Sequence, residues 1–306
     1  LVLAHYRTSP DDLRMLLDSP ALSIAAHFNG INVVAIALVV REGGLPPALV
    51  EEIWQGRRRP RGHLIPQVLS SYCGFKEATK FVGDRVMRIA VHPSLHQLGL
   101  GRSLMEAVQQ QSLNDRVDYI GSSFGATPEL IDFWHAIEFS PLRLGLQREA
   151  ASGAHSIVMM KPLSGRAKQL CNDASGRFKA QFCFDLSDTF NQLSTAVVQR
   201  LLRGYDDSDS PLNERDLSDL KNYTEHLRVY ESCSAVIGKL VMHSIVRESL
   251  QLHCSEVEIG VLIRRVIQKN PAASVVAEFH LQGKKALDKI LRASTQKLVN
   301  QNNVSI

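Results

Sequence analysis

The sequence predicts a mixed α/β (α+β) domain, with a mixed central sheet flanked by helices, followed by a mainly α-helical C-terminal region. Three observations carry this reading. Short β-rich runs alternate with helical stretches as far as residue 163, as they do in mixed α/β domains. Past Ser164 the apolar residues instead recur at helical spacing, over 174–190, 193–202, 217–229, 236–246, 257–267 and 277–299, which reads as a run of amphipathic helices. Within the first part, residues 88–104 read as strand, glycine-broken loop and helix start in immediate succession. The expected domains are therefore 1–164, with an insertion at about 46–83, and 165–306.

Each element follows from local chemistry. Ser9-Pro10-Asp11-Asp12 opens a helix with a serine cap, proline at the first helical position and acids to meet the dipole, and Leu13, Leu16 and Leu17 then share a face. Runs at 22–28 and 33–40 flank Asn29-Gly30, a dipeptide that tolerates positive φ in a tight hairpin turn. The stretch 46–83 is less regular: a short helix ending near Trp54, then Arg57-Arg58-Arg59-Pro60-Arg61-Gly62-His63, then mixed apolar residues. Strand character returns at 85–91, Gly99 and Gly101 break the chain, and 103–111 has helical spacing. Residues 119–124 form another strand, Thr127-Pro128-Glu129 opens a helix by cap and proline, and 142–146 and 156–160 supply two closing strands. In the tail, 204–213 is an acidic, turn-rich loop.

Composition narrows the function classes. With 44% hydrophobic residues the chain is neither disordered, collagenous nor a pure coiled coil. The balance of 35 Lys+Arg against 31 Asp+Glu gives +4 and a pI near 8.8, so any nucleic-acid surface must be a local patch. The longest apolar run, 33–40, is too short to cross a membrane and no signal peptide opens the chain; a soluble, cytoplasmic protein without a membrane partner is expected. Cys73, Cys171, Cys183, Cys233 and Cys254 are scattered, with no C-x-x-C pair, and the histidines form no H-E-x-x-H, so neither a disulfide framework nor a metal is expected. The chain begins at Leu1 in a strand-like Leu-Val-Leu run without an initiator methionine, which suggests a fragment of a longer protein.

The chemistry concentrates at Arg88-Ile89-Ala90-Val91-His92-Pro93 and, after a short spacer, Leu98-Gly99-Leu100-Gly101-Arg102. A glycine-rich loop entering a helix lets backbone N–H groups at Leu98 to Arg102 face outward and meet a phosphate. Leu104 stands where a dinucleotide G-x-G-x-x-G needs its third small residue, and no G-x-x-x-x-G-K-[ST] exists. A strand-to-helix turn needing positive φ also explains a lone G-x-G. The whole order of strand, V-H-P, spacer, G-x-G, helix and second strand resembles motif A of the GNAT acyl-CoA N-acyltransferases, whose loop grips the CoA pyrophosphate. That resemblance implies a GNAT fold, acetyl-CoA as cofactor, and a cofactor site at Ile89, Ala90, Val91, His96, Gln97, Leu98, Gly99, Leu100, Gly101, Arg102 and Glu129. His96 stands where that family usually has Gln or Arg; one side-chain contact is weakened and the backbone cradle kept.

A narrower likeness is carried by Ala4-His5-Tyr6-Arg7-Thr8-Ser9-Pro10, by 58–62, by 88–102, by Ser123-Phe124-Gly125 with Glu129 and Phe133-Trp134, and by Arg148-Glu149-Ala150-Ala151-Ser152-Gly153. Together these resemble the tRNA(Met) cytidine acetyltransferase family, collinearly over the first half and more loosely through the tail. The resemblance implies N4-acetylation of the wobble cytidine in the anticodon loop of elongator methionine tRNA, a tail that helps dock the tRNA, and an upstream helicase-like module of the same chain that uses ATP. Backbone N–H groups of a splayed strand at Ile89 to Val91 are suited to the developing oxyanion.

Glu129 is the preferred catalytic candidate, although an acid in a first helical turn also simply meets the dipole. His92 is a second, for proton transfer, with a structural role before proline as its alternative. His135, beside the core-like Phe133 and Trp134, is a third. Arg57, Arg58, Arg59 and Arg61 are positioned to track an RNA backbone, against the ordinary reading of a charge run as a solvated face; Arg143, Arg148, Lys284, Lys285 and Lys289 are further RNA candidates. A GNAT enzyme for a protein or small-molecule amine, and an RNA-binding module without turnover, remain alternatives at this point.

Overall fold

A computed structural model describes residues 18–150, 152–204 and 212–302. The expected helix start at Ser9 and most of the acidic loop at 204–213 lie outside the described residues. The chain forms two compact units that divide between Phe178 and Lys179, whereas the change in sequence pattern falls near residue 165.

In the first unit the sheet order is β1 (Leu22–Asn29), β2 (Asn32–Gly43), β3 (Val82–Val91), β4 (Tyr119–Gly125), β6 (His155–Pro162), β5 (Ser140–Arg148). Among the described strands only β3 and β4 are parallel neighbours. Between β2 and β3 lie α1 (Pro47–Trp54), the short α2 (Leu64–Gln67) and a π-helical turn, Val68–Tyr72. Helix α3 (Leu100–Asn114) makes the crossover that a parallel pair requires, and α4 (Pro128–Ala136) follows β4. The hairpin is present, but its turn sits one residue further on than expected. Asn29 pairs with Asn32, so Gly30, at φ +61°, takes the first central position, where a type II′ turn needs glycine.

Helices α3 and α4 cover one face through Leu104, Met105, Val108, Ile131 and Trp134, all buried. On the other face Ile65, Val68, Leu69 and Ala78 join Tyr119, Leu142, Val158 and Met160. The stretch expected as an insertion thus supplies a core layer. Truncating a fully buried Ile65 to alanine removes about 2–5 kcal/mol. Helix α5 (Gly165–Asp185) adds Ala167, Leu170, Cys171 and Ala174 to the same cluster.

Expected to begin at 174, α5 starts earlier because Ser164 caps it: the Ala167 N–H donates to Ser164 Oγ at 3.2 Å. Ser164 Oγ in turn donates to Asp118 at 2.8 Å, which also accepts from Arg166 Nε at 2.7 Å and from the Val82 N–H at 3.0 Å. Burial alone would raise the Asp118 pKa; the bonds from Arg166, Val82 and Ser164 outweigh it and hold the carboxyl below its usual range. Nearby, Asp84 accepts from Arg41 at 3.0 and 3.2 Å and from Ser112 Oγ at 2.8 Å.

The second unit contains α6 (Thr195–Leu202), α7 (Glu214–Glu225), α8 (Tyr230–Val246), α9 (Leu250–His253), α10 (Glu256–Leu262) with a π-helical turn Ile263–Ile267, α11 (Ala272–Glu278) and α12 (Lys284–Asn302). The single helix expected over 277–299 is two helices. A Cβ on Gly260 would stand 2.6 Å from the Phe279 ring, so Phe279, the residue that follows α11, packs tightly on α10. His280 at φ +52° and Gly283 at φ +90° then turn the chain. Leu201, Leu220, Ile237, Leu240, Leu262, Leu291 and Leu298 are fully buried. Gln268 Nε2 donates to the Phe190 and Leu193 carbonyls, both at 2.9 Å, satisfying an otherwise orphaned turn. Lys284, Lys285 and Lys289 are exposed on α12. Among the described residues no helix is long and apolar enough to cross a membrane.

Candidate functional site

β3 and β4 pair only from Gly83↔Tyr119 to Val86↔Ser122. Beyond that point β3 stays with β2 as far as Val91↔Ala35, while β4 stays with β6 as far as Gly125↔Ser156. The two central strands therefore part at their C-terminal ends. The cause lies at Met87: Val39 faces Val86 and Leu38 faces Arg88, so Met87 is an extra residue, and such a bulge bends and twists its strand. Past the bulge the His92 N–H donates to the Val34 carbonyl at 2.8 Å. Alternation along the strand turns the Val91 N–H, one residue earlier, toward the opening.

The chain leaves β3 through a 3-10 turn, Pro93–Leu95, and reverses with Gln97 at φ +63° and Gly99 at φ +80°. The first bond of α3 runs from the Ser103 N–H to the Gly99 carbonyl, 3.0 Å. The N–H groups of Leu100, Gly101 and Arg102 consequently have no backbone acceptor among the described residues, at the positive end of a 15-residue helix. A Cβ on Gly101 would meet Phe133 of α4 at 3.3 Å and Val91 at 3.7 Å, while one on Gly99 would meet nothing within 4 Å. Gly101 lets the first turn of α3 settle against its neighbours, and Gly99 leaves the donors approachable. This combination of donors and open space fits a diphosphate.

Side chains of the loop point elsewhere. His96 Nε2 lies 3.0 Å from the Val91 carbonyl; a carbonyl only accepts, so the proton is on Nε2 and the ring ties loop to strand. Arg102 Nη2 donates to the Ala136 carbonyl at 3.1 Å, at the C-terminal end of α4. Ile89 and Ala90 are half-buried in β3, whereas Gln97 and Leu98 are exposed. The cradle is main chain.

Thr127 Oγ1 accepts from the Leu130 N–H at 3.4 Å, which starts α4 directly after β4 and sets Glu129, exposed, in its first turn. Glu129 thus follows the β4 arm of the opening and the cradle follows the β3 arm. His92 Nδ1 is 2.8 Å from Ser94 Oγ and accepts from the Ser94 N–H at 3.4 Å, so its ring caps the 3-10 turn and carries its proton on Nε2. Trp134 is buried and stacks on Phe124 at 5.7 Å between centroids, with Phe133 edge-on at 5.3 Å; His135, half-buried, lies beside this aromatic core.

Arg57, Arg58, Arg59 and Arg61 are all exposed. Arg58 pairs with Glu52 at 3.4 Å. Arg59 and Arg143 both approach Tyr72, their guanidinium carbons 5.6 and 3.8 Å from its ring centroid. A groove of about 360 Å³ runs beneath this loop, lined by Arg59, Arg61, His63, Leu64, Tyr72 and Arg85. Arg85 is neutralised by Glu42, which is 1% exposed and whose other oxygen accepts from the Ile65 N–H at 2.9 Å. The sequence pattern does not single out Tyr72; only a folded π-helical turn shows it meeting the arginines. Arg148, at the end of β5, pairs in register with His155 and belongs to the β5–β6 hairpin.

A bulged strand parting from its parallel neighbour, with a glycine cradle at the helix that follows, defines a GNAT-type acyltransferase core. The chain belongs to the family described as GNAT acetyltransferase 2, whose model matches residues 1–112 and 109–164. Curated relatives named tRNA(Met) cytidine acetyltransferase TmcA are similar to nearly the whole chain. The one from Nitrosococcus halophilus is 39% identical over 98% of this chain and 40% of its own length. Those from Vibrio cholerae and Haloarcula marismortui are 33% and 34% identical, over 95% and 91% of this chain and 39% and 36% of their own lengths. The chain spans about 40% of the length of the curated relatives it matches.

Proposed function

We propose that this chain is the acetyltransferase part of an RNA-modifying enzyme, forming N4-acetylcytidine at the wobble position of elongator tRNA(Met) with acetyl-CoA as donor. The observation that carries the chemistry is the coincidence, at one end of the sheet, of the parted β3 and β4 with the unpaired N–H groups of α3. The relatives' names, and a loop of exposed arginines, support RNA as the acceptor. The remaining length of the relatives leaves room for the upstream ATP-using module, and the helical unit is assigned to tRNA docking; the setting is cytoplasmic.

When bound, acetyl-CoA supplies an acetyl group activated as a thioester. The N–H groups of Leu100, Gly101 and Arg102 hold its diphosphate. The Val91 N–H, facing the opening, stabilises negative charge on the carbonyl oxygen as the C–N bond forms. The exocyclic amine of cytosine is conjugated with its ring and a poor nucleophile, so positioning carries much of the acceleration. Glu129 takes the proton the amine loses, and the Nε2–H of His92 is the donor for the departing sulfur, whose unperturbed pKa is about 8.5.

The test is mass spectrometry of nucleosides from unmodified elongator tRNA(Met) incubated with the protein and acetyl-CoA, with and without ATP and the upstream module. Acetylcytidine confined to the wobble position is expected. Bound acetyl-CoA with no acetylcytidine, even from the full-length enzyme, overturns the RNA assignment in favour of a protein or small-molecule amine.

A further inference from the structure

Two sets of arginines stand out among the described residues of the first unit. Arg41, Arg85 and Arg166 each face a buried carboxylate: Asp84, Glu42 and Asp118. Arg59, Arg61, Arg143 and Arg177 face none among the described residues. Arg143 matters most, because it is half-buried and burial pushes its pKa down. A desolvated guanidinium without an anion or carbonyl leaves donors unused, which is costly unless a ligand supplies the acceptors. Its partner within the fold is the face of Tyr72, at 3.8 Å.

Three cations converge on the turn that carries Tyr72. Arg59 reaches the same ring, and the Arg177 guanidinium would be 3.9 Å from a Cβ on Gly74. The charges of Arg143 and Arg177 both act on Cys73, whose thiol burial pushes up to about 11 against them. The acids of the flanking helix offer no neutralisation, since Glu51 is held by Lys76 and Glu52 by Arg58. Tyr72 itself is 46% exposed and ends a π-helical turn, a distortion common at functional sites. The adjoining groove of about 360 Å³ lies in the range of small-ligand pockets, about 300–1,000 Å³.

We infer that this groove is a subsite for one unpaired nucleotide of the RNA, with the base packed against Tyr72, its phosphate met by Arg59 and Arg61, which line the groove, and with Arg143 over the Tyr72 ring and Arg177 beside the same turn adding positive charge at its edge. The inference rests on the RNA reading above and specifies where a single strand lies. Ring, guanidinium and open groove together match an unstacked base and its backbone better than a duplex, whose bases are already stacked. An acidic peptide would use the arginines without needing the aromatic face.

Fluorescence anisotropy of the labelled anticodon stem-loop with the full chain tests this, with acetyl-CoA affinity by calorimetry as the control for folding. Tyr72→Ala should weaken RNA binding about tenfold, whereas Tyr72→Phe, which keeps the ring, should stay within about twofold of wild type. Arg143→Gln should weaken it and lower the slope of log affinity against log salt by about one. Acetyl-CoA affinity should be unchanged in all three. If wild type binds RNA and Tyr72→Ala binds it equally well, the subsite is overturned while the RNA reading stands. If wild type itself shows no salt-dependent RNA binding, the reading fails and the subsite with it. A poly-glutamate peptide that displaces the stem-loop from wild type and from Tyr72→Ala alike would assign the arginines to an acidic protein and overturn the proposal.

Discussion

The two ends of the β3–β4 pair differ in almost every respect. At the Gly83 and Tyr119 end the strands are in register, and the buried carboxylates of Asp84 and Asp118 tie β2, β3, α3 and α5 together through their bonds to partly exposed arginines and to Ser112. At the Val91 and Gly125 end the ladder stops, the helix N-terminus is open, and charged side chains are exposed. One end is built to stay closed and the other to receive something. The difference teaches that stability and chemistry are separated along the same two strands by a single extra residue, Met87.

That separation can be broken from either side. The largest effect is expected for Gly99→Glu, which places a side chain at φ +80° and a negative charge among the phosphate donors. Acetyl-CoA affinity should fall about 100-fold or more, some 3 kcal/mol, beyond the roughly 1–2 kcal/mol of stability lost to strain at that positive φ; calorimetry showing intact affinity would remove the loop from the donor site.

Asp118→Asn should act on the closed end alone, costing about 1–2 kcal/mol of stability by denaturant unfolding, a range kept low because Arg166 is largely solvent-exposed, while donor affinity holds. The Asp118 carboxyl is held below its usual pKa. Its stabilising contribution is therefore complete above the unfolded value of about 3.9 and disappears as pH falls through the lower folded value. The acid limb of the stability profile should be shallower in the variant, and identical limbs would mean that Asp118 is not what closes that end.

Glu129→Gln sharpens the open end, with turnover expected to drop about tenfold or more at unchanged stability; wild-type rates would leave the residue as a partner for the helix dipole only. His96→Ala should have the smallest effect. It removes the 3.0 Å tie between loop and strand and should raise the KM for acetyl-CoA about threefold, near the worth of one hydrogen bond, without altering kcat. A fall in kcat instead would move His96 into the reacting centre.

The closed end and the open end were not equally legible in the sequence. The helix start at Thr127-Pro128 read correctly because a cap and a fixed φ act within a few residues, whereas α3 starts at Leu100, three residues before the expected 103, so Gly101 lies inside its first turn and Gly99 alone ends the loop. The early start of α5 was hidden, because Ser164 is recognisable as a cap only once Asp118, distant in sequence, orients its hydroxyl. The packing of Phe279 was hidden for the same reason, since it depends on the face of Gly260. The glycine cradle and the arginine run could be read as motifs. Tyr72 could not, because nothing in Ser-Ser-Tyr-Cys-Gly distinguishes a ring that meets two guanidinium groups from one that fills a core.

The cradle at Leu100 to Arg102 offers hydrogen-bond donors that every residue type except proline carries. Under the proposed function, recognition of the donor is thus a property of the chain's path, fixed by two glycines and indifferent to most substitutions around them. Under the proposal above, the acceptor is met instead by side chains: Tyr72 and Arg59 between β2 and β3, Arg143 on β5 and Arg177 on α5. Under that proposal, a lineage can rewrite what it acetylates without relearning how to hold the acetyl donor.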